Sequence, residues 1–530
     1  MKLKSLTLKN FKAINSPVRF DFKPITLLFG PNSSGKSTII QALHYAYEIF
    51  ERRNIDPGQT LFGGKSIDLG GFESLVHKHN LNKSIIIRLD IDLKDGSLLP
   101  DYSTVEEADT QEEQDFRNSI ITDIMSIWVE LEIKFCELID KTIVTGYEVG
   151  INGDLLCNIT SSSDGRQVQI SHINFSNPLL VNKDETSEDT GINLWEWTEN
   201  IVQKQYLKND EVQFGIINMD SALPYLGFPL KLNSDIWETE HSTDHGIEYS
   251  VKNYKLLLSS LIVGPGELTR NALRKFLYLG PLRDVPSRNY IPELSPNLSR
   301  WANGLAAWDI LYKANDKFIN SFNDWFARKD RLNTGYHIEL KRFKELEVNN
   351  PISLSLEQGY ALDEDERIYE YLKSLPIKNR FYLWDEINEI EVLPQDIGVG
   401  ISQLLPVIVA ALYSQKRIVA IEQPELHIHP AIQVALGDLF ITQSKKQENI
   451  FLIETHSEHL LLRLLRRIRE NYEDELLPDI VGLLTEDISI YYLESNNDGM
   501  IVQELKVNQQ GDSSNKWPKG FFEERHGELF

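Results

Sequence analysis

The sequence predicts an α/β protein with three parts: a mixed-sheet core carrying a phosphate-binding loop, an antiparallel β subdomain beside it, and a mixed, largely helical insertion. Three observations predict this. Residues Gly30 to Ser37, GPNSSGKS, match G-x-x-x-x-G-K-[ST] and sit between a β-prone run, Ile25 to Phe29, and a helical pattern, Ser37 to Leu43. Two short apolar runs, Arg417 to Ile421 and Asn449 to Ile453, flank a helical stretch from Ala431 to Gln443, which reads as a βαβ unit. Residues Ser84 to Leu93 and Ile127 to Phe135 alternate polar and apolar and, with Thr142 to Ile170, read as an antiparallel sheet.

Taken in order, the opening stretch KLKSLTLKNFKAI alternates as a half-buried strand does. The loop follows. Gly30 and Gly35 let the backbone wrap a phosphate chain, with Asn32, Ser33 and Ser34 between them and Thr38 opening the helix. Lys36 is expected to reach the β- and γ-phosphates of ATP, and the Ser37 hydroxyl to ligate Mg²⁺. Acidic stretches at Asp101 to Asp115 and Asn182 to Thr190 read as exposed loops. From Asn253 to Arg331 the pattern is helical, with breaks expected at Gly264-Pro265-Gly266 and Gly280-Pro281, and strand-like alternation returns at Gly335 to Leu346. No repeat and no long heptad run is present, which argues against a coiled-coil arm. The expected boundaries are 1–175 for a first lobe with the loop and antiparallel sheet, 176–345 for the insertion, and 346–530 for a second lobe.

The second lobe supplies the remaining candidates. One apolar run ends in Glu422-Gln423-Pro424-Glu425 and the other in Glu454-Thr455-His456-Ser457. In open α/β sheets ligands sit at the carboxyl ends of strands, so both sets should face the phosphate loop. Glu422 stands where a Mg²⁺-coordinating carboxylate is needed, and His456 where the γ-phosphate can be sensed. Upstream, a glycine-rich turn from Asp396 to Gln403 runs into the apolar helical stretch Leu404 to Leu412.

Composition narrows the partners. The 54 basic and 79 acidic residues give a net charge of −25, so any DNA contact is indirect or confined to a local basic patch. The two cysteines, Cys136 and Cys157, support neither a disulfide framework nor a zinc site. No signal peptide precedes the first strand and no apolar run reaches spanning length, so a cytoplasmic protein without membrane contact is expected.

At this point the chain resembles the ABC-type ATPases of the SMC, RecF and OLD group. The motifs LTLKNFKAI, the phosphate loop, the glycine-rich turn, EQPELHIHP and IETHS follow that group's order. The stretches Tyr278 to Arg288 and Trp517 to Arg525 are similar to the Septu PtuA-like prokaryotic branch. The resemblance implies an ABC-type P-loop ATPase head, and two heads that sandwich two ATP molecules as a homodimer or higher oligomer. Gly398, Gly400, Ser402 and Gln403 would form the signature that acts in trans, Lys12 a basic residue near the nucleotide, and LHIHP a contact with the opposite head. Gln423 replaces the glutamate that polarises water in many members. Glutamine can orient water but cannot take its proton, and a general base contributes about 10²–10⁴-fold, so slow hydrolysis is expected. Glu425 either substitutes for that glutamate or is a helix-start carboxylate.

By the same resemblance the chain is a sensor or regulatory subunit of an antiphage defence complex, its partner a nuclease encoded nearby. A stand-alone RecF-like repair ATPase and an ATP-dependent scaffold remain the alternatives. No E…DxD set follows His456, so no nuclease domain is expected in this chain. His427 and His429 have a spacing a metal could use, without further ligands in support. Arg463, Arg466 and Arg467 share one helical face, either solvated or a surface for an acidic partner. Arg283 and Arg288 read as carboxylate pairs or as nucleotide or interface residues.

Overall fold

The structure is a computed structural model. It describes residues 1–512 except 62, 103–120, 175–176, 182–213, 217–218, 233–244, 289, 294, 296–297 and 358–365. The expected acidic loops from 103 and from 182 onward, and the Trp517 to Arg525 stretch, lie outside the described residues.

In chain order the strands are β1 Lys2–Lys9, β2 Val18–Asp21, β3 Ile25–Phe29, β4 Gln59–Thr60, β5 Gly64–Asp68, β6 Ile85–Asp92, β7 Ser126–Cys136, β8 Lys141–Ile151, β9 Asp154–Ser161 and β10 Val168–Ile173. Then come β11 Phe214–Gly215, β12 Phe276–Leu279, β13 Tyr336–Phe343, β14 Lys378–Asp385, β15 Ile390–Val392, β16 Ile418–Glu422, β17 Ile450–Glu454, β18 Ile488–Asn496 and β19 Gly499–Glu504. An eight-stranded antiparallel sheet runs β11-β10-β9-β8-β7-β6-β1-β2, and a six-stranded mixed sheet runs β12-β16-β17-β3-β18-β19. In the mixed sheet the first five strands are parallel, and β19 returns antiparallel to β18.

Periodicity explains which sheet each strand joins. β6 alternates buried and half-buried residues, as a strand with one covered face must. β3, β16 and β17 are buried at every residue, because both faces of the mixed sheet are covered. Leu28, Ala420, Leu452 and Tyr491 point to one side, into a core shared with the helix Ser37–Arg52 and the antiparallel sheet. Leu27, Ile421, Ile453 and Ile490 point to the other, under the helices Val399–Tyr413, Pro430–Lys446 and Glu458–Tyr472.

Two sequence expectations change. The break at Gly264-Pro265-Gly266 is absent: one helix runs His245–Leu273 with Pro265 inside it. The proline removes an intrahelical donor, and bonding around it is supplemented from outside, where the Tyr147 hydroxyl of β8 donates to the Ile262 carbonyl at 2.9 Å. A Cβ at Gly266 would lie 2.6 Å from that hydroxyl oxygen, so the glycine permits the approach. Second, the expected insertion 176–345 contains part of the core, because β12 pairs with β16 at the edge of the mixed sheet.

His44, on the helix behind the phosphate loop, is completely buried against the ring edges of Phe276 and Tyr278. Burial pushes its imidazole down to about 3, so it is neutral in the fold. The unfolded chain protonates it below about pH 6.5. Stability from His44 is therefore complete above that pH and is lost as pH falls toward the folded value, at about 1.4 kcal/mol per pH unit. Thermal unfolding followed from pH 7 to pH 5 should show a steeper loss in the wild type than in His44→Gln. Parallel profiles would contradict the neutral, buried assignment.

Candidate nucleotide site

The loop between β3 and the helix Ser37–Arg52 has the conformation its glycines predict. Gly30 and Gly35 take φ of +150° and +90°, and Ser33 is left-handed at +61°. A Cβ at Gly30 would lie 2.1 Å from the Leu493 carbonyl oxygen of β18, so no side chain fits there. The Lys36 ammonium turns back over the loop and donates to the carbonyls of Gly30 at 3.1 Å and Pro31 at 2.8 Å. Burial lowers its pKa, while Glu454, Glu425 and Glu422 act in the opposite direction. The Ser34 hydroxyl is 2% exposed and has no hydrogen-bond partner among the described residues. An orphaned donor, an ammonium and a glycine-shaped loop at a helix start fit a polyphosphate. Asn32 is exposed, and Thr38 is buried with its amide bonded to the Gly35 carbonyl at 2.9 Å. Lys12 sits in a left-handed turn whose backbone is tied to Leu75 and His77; burial lowers its pKa, and Asp68 opposes the shift.

The two strand ends meet at this loop, as expected. Glu422 and Glu454 are paired in register on β16 and β17. Glu422 accepts from the Tyr278 hydroxyl at 3.1 Å, and its carboxyl is pushed up to about 7, chiefly by burial and then by Glu454. Glu454 is raised as well, by burial, and accepts from the Ser37 hydroxyl at 2.7 Å. Ser37 with Glu422 fits Mg²⁺, an ion held by few carboxylates together with phosphate and water. Glu454 belongs to the same strand-end set, and its place as the last residue of a buried parallel strand, opposite Glu422, is the sequence signal for it.

Glu425 has a defined job. Its carboxylate accepts from the Thr455 hydroxyl at 2.8 Å and the His456 amide at 2.7 Å, which ties the end of β16 to the segment after β17. Burial raises its pKa in spite of those bonds. His456 itself reaches solvent, and partial desolvation where the ring meets the site, followed by the nearby Lys36 charge, lowers its pKa. Gln423 is held by its backbone: φ is +45°, its amide donates to the Glu454 carbonyl at 2.7 Å, and its carbonyl accepts from Arg283 at 3.3 Å.

Arg283 is the residue the sequence left most open. It is 4% exposed and, among the described residues, forms no pair with a carboxylate. Its guanidinium donates to the carbonyls of Glu422 at 2.7 Å and Gln403 at 3.2 Å. Its backbone exchanges two bonds with the Gln403 amide, at 3.1 and 2.6 Å. Burial pushes its pKa down to about 10. Gln403 thus faces inward, joining the glycine-rich turn to the end of β16 within one chain. Ser402 is also buried, its hydroxyl donating to the Val399 carbonyl at 2.8 Å. A Cβ at Gly400 would lie 2.5 Å from the His427 carbonyl oxygen, whereas nothing lies within 4 Å of one at Gly398. The outward part of this turn is therefore Gly398 and the exposed Val399.

The other arginines are committed. Arg288 pairs with Asp396 at 2.5 Å. Arg463 and Arg467 bond Asp438, and Arg466 and Arg467 bond Glu470, so this face is an intramolecular ion-pair network. Among the described residues no group of three or more His, Cys, Asp or Glu could hold a metal, so His427 and His429 gain no further ligand. Nor is any described helix long and apolar enough to cross a membrane.

Comparison with known proteins identifies the family. The family model described as AAA ATPase domain matches residues 1–461, and one described as Protein of unknown function (DUF3696) matches residues 483–530. The chromosome partition protein Smc of Mycolicibacterium paratuberculosis is 40% identical over 106 residues, which is 20% of this chain and 8% of that protein. The DNA replication and repair protein RecF of Chlorobium phaeobacteroides is 34% identical over 101 residues, 17% of this chain and 28% of that one. The chain thus spans only a small part of the curated relatives it matches. Among solved structures, an Smc head bound to the C-winged helix domain of ScpA aligns over 96% of this chain and 99% of its own, with 10% identity and a TM-score of 0.38. The SMC head domain from Thermotoga maritima aligns over 96% and 100%, with 11% identity and a TM-score of 0.35. With the family match running from the first strand through the segment after β17, the chain belongs to the AAA ATPase domain family.

Proposed function

We propose that this protein is a slowly hydrolysing, Mg²⁺-dependent ATP switch that pairs into nucleotide-sandwiched dimers and regulates a nuclease supplied by another chain in antiphage defence. The observation that carries the ATP reading is the convergence of Lys36, Ser37, Glu422 and Glu454 at the carboxyl edge of the mixed sheet. Lys36 exchanges its loop carbonyls for phosphate oxygens, and the Ser34 hydroxyl gains an acceptor. Bound Mg²⁺ supplies charge stabilisation to the transferring phosphoryl group. Gln423 orients water but cannot accept its proton, which supports slow turnover and a long-lived closed state. The Glu425 bonds to Thr455 and His456 would carry a change at the γ-phosphate to β16, and Arg283 would carry it on to Gln403 and the outward Gly398 and Val399.

The defence role rests on the sequence resemblance. The RecF similarity favours a second reading, a stand-alone DNA-repair ATPase. Against it stand the net charge of −25 and the pairing of Arg463, Arg466 and Arg467 with Asp438 and Glu470. A tagged pull-down from the native host, flanking genes intact and in Mg-ATP, separates the two. A stoichiometric nuclease-like partner is expected. Recovery of the chain alone, or with DNA only, would favour the repair reading.

A further inference from the structure

The hydrogen bond from Ser37 to Glu454 bears on how the metal is held. A hydroxyl ligates a cation through an oxygen lone pair, so its proton must point elsewhere. An acceptor fixed behind it sets the orientation of the oxygen and raises its donor strength, as outer-shell partners of metal ligands do. Glu454 is such an acceptor: it is 5% exposed, ends a strand buried at every residue, and its Oε2 accepts the hydrogen bond of the Ser37 hydroxyl at 2.7 Å. Its strand also holds it from the backbone side, since the Glu454 carbonyl accepts the Gln423 amide. Glu422 differs, because its carboxylate is bonded to Tyr278. The buried Ser34 hydroxyl without a partner, on the same loop, is an independent sign that this loop is built around a ligand.

We infer that Glu454 is a positioning residue for the divalent cation, acting through Ser37 by accepting its hydrogen bond and so turning its lone pairs toward the metal site. This rests on the nucleotide-binding reading above. Two carboxylates on adjacent strands would thereby divide the work, Glu422 holding the metal and Glu454 aiming the hydroxyl. The negative charge of Glu454 is secondary to the position of its oxygen.

The test reads the Mg²⁺ concentration that gives half-maximal binding of ATPγS, by calorimetry, with binding in EDTA as the reference. Glu454→Met removes the acceptor and should raise the Mg²⁺ requirement about tenfold, the lower end for outer-shell partners. Glu454→Gln keeps an acceptor oxygen and should raise the requirement less than Glu454→Met does, because a neutral acceptor still orients the hydroxyl. Glu454→Asp keeps the charge but withdraws the oxygen by one methylene, so it should behave like Glu454→Met and serves if that variant does not fold. In a Ser37→Ala background each substitution should shift the requirement less than about twofold, because a residue acting through Ser37 has nothing left to act on. Equal shifts in both backgrounds, no shift at all, or equal losses with and without metal would overturn the role of Glu454. A wild type that binds no ATPγS under either condition would instead remove the nucleotide reading on which it rests.

Discussion

Lys36→Ala is expected to weaken ATPγS binding by about 100-fold or more and to abolish any assembly that depends on nucleotide. Two effects add. The ammonium that would bond the phosphates is lost, and with it the positive charge facing Glu454, Glu425 and Glu422. Those carboxylates then repel the incoming phosphates in a site of low dielectric, where a pair of charges interacts far more strongly than in water. The side chain is 4% exposed and already bonded to Gly30 and Pro31, so the loop holds its ammonium in place before ligand arrives. Calorimetric titration of both proteins checks the prediction. Unchanged affinity would take the loop out of the binding site.

Gln423→Glu is expected to raise ATP turnover about tenfold or more, at the low end of what a general base contributes. The backbone at this position is held from both sides, by the Glu454 carbonyl and by Arg283, so the new side chain should occupy the space of the old one. It would enter beside Glu422 and Glu425, both already raised by burial, and its own pKa should rise for the same reason. A carboxylate whose pKa is raised toward the working pH is better matched to proton abstraction than an ordinary one. The added charge should also lower thermal stability, which separates a gain in chemistry from a general gain in stability. A flat steady-state rate would mean that Gln423 does not face the attacking water.

The parts of this site that follow local rules were legible in the sequence. The phosphate loop announces itself by glycine spacing between a strand and a helix, and the βαβ unit by two apolar runs of strand length. Each places its polar end at the sheet edge, which is why Ser37, Glu422 and His456 stand out in the sequence as candidates. What was illegible depends on contacts between distant residues. Arg283 binds the backbone of Gln403, 120 residues away, and of Glu422, 139 away, and no local pattern encodes a buried guanidinium bonded to carbonyls. β12 is four residues long, Phe276–Leu279, and so short an apolar run reads equally as helix or strand. The helix through Pro265 defied a strong local signal, because packing against β8 brings the Tyr147 hydroxyl to its backbone. Gln403 followed the resemblance into the signature, yet its side chain serves its own chain.

ATP should assemble this protein, and light scattering on a sizing column reads that assembly. Wild-type protein should run at a larger mass in Mg-ATPγS than without nucleotide, and Lys36→Ala at the nucleotide-free mass in both conditions. A wild-type mass that is the same with and without Mg-ATPγS would contradict the switch.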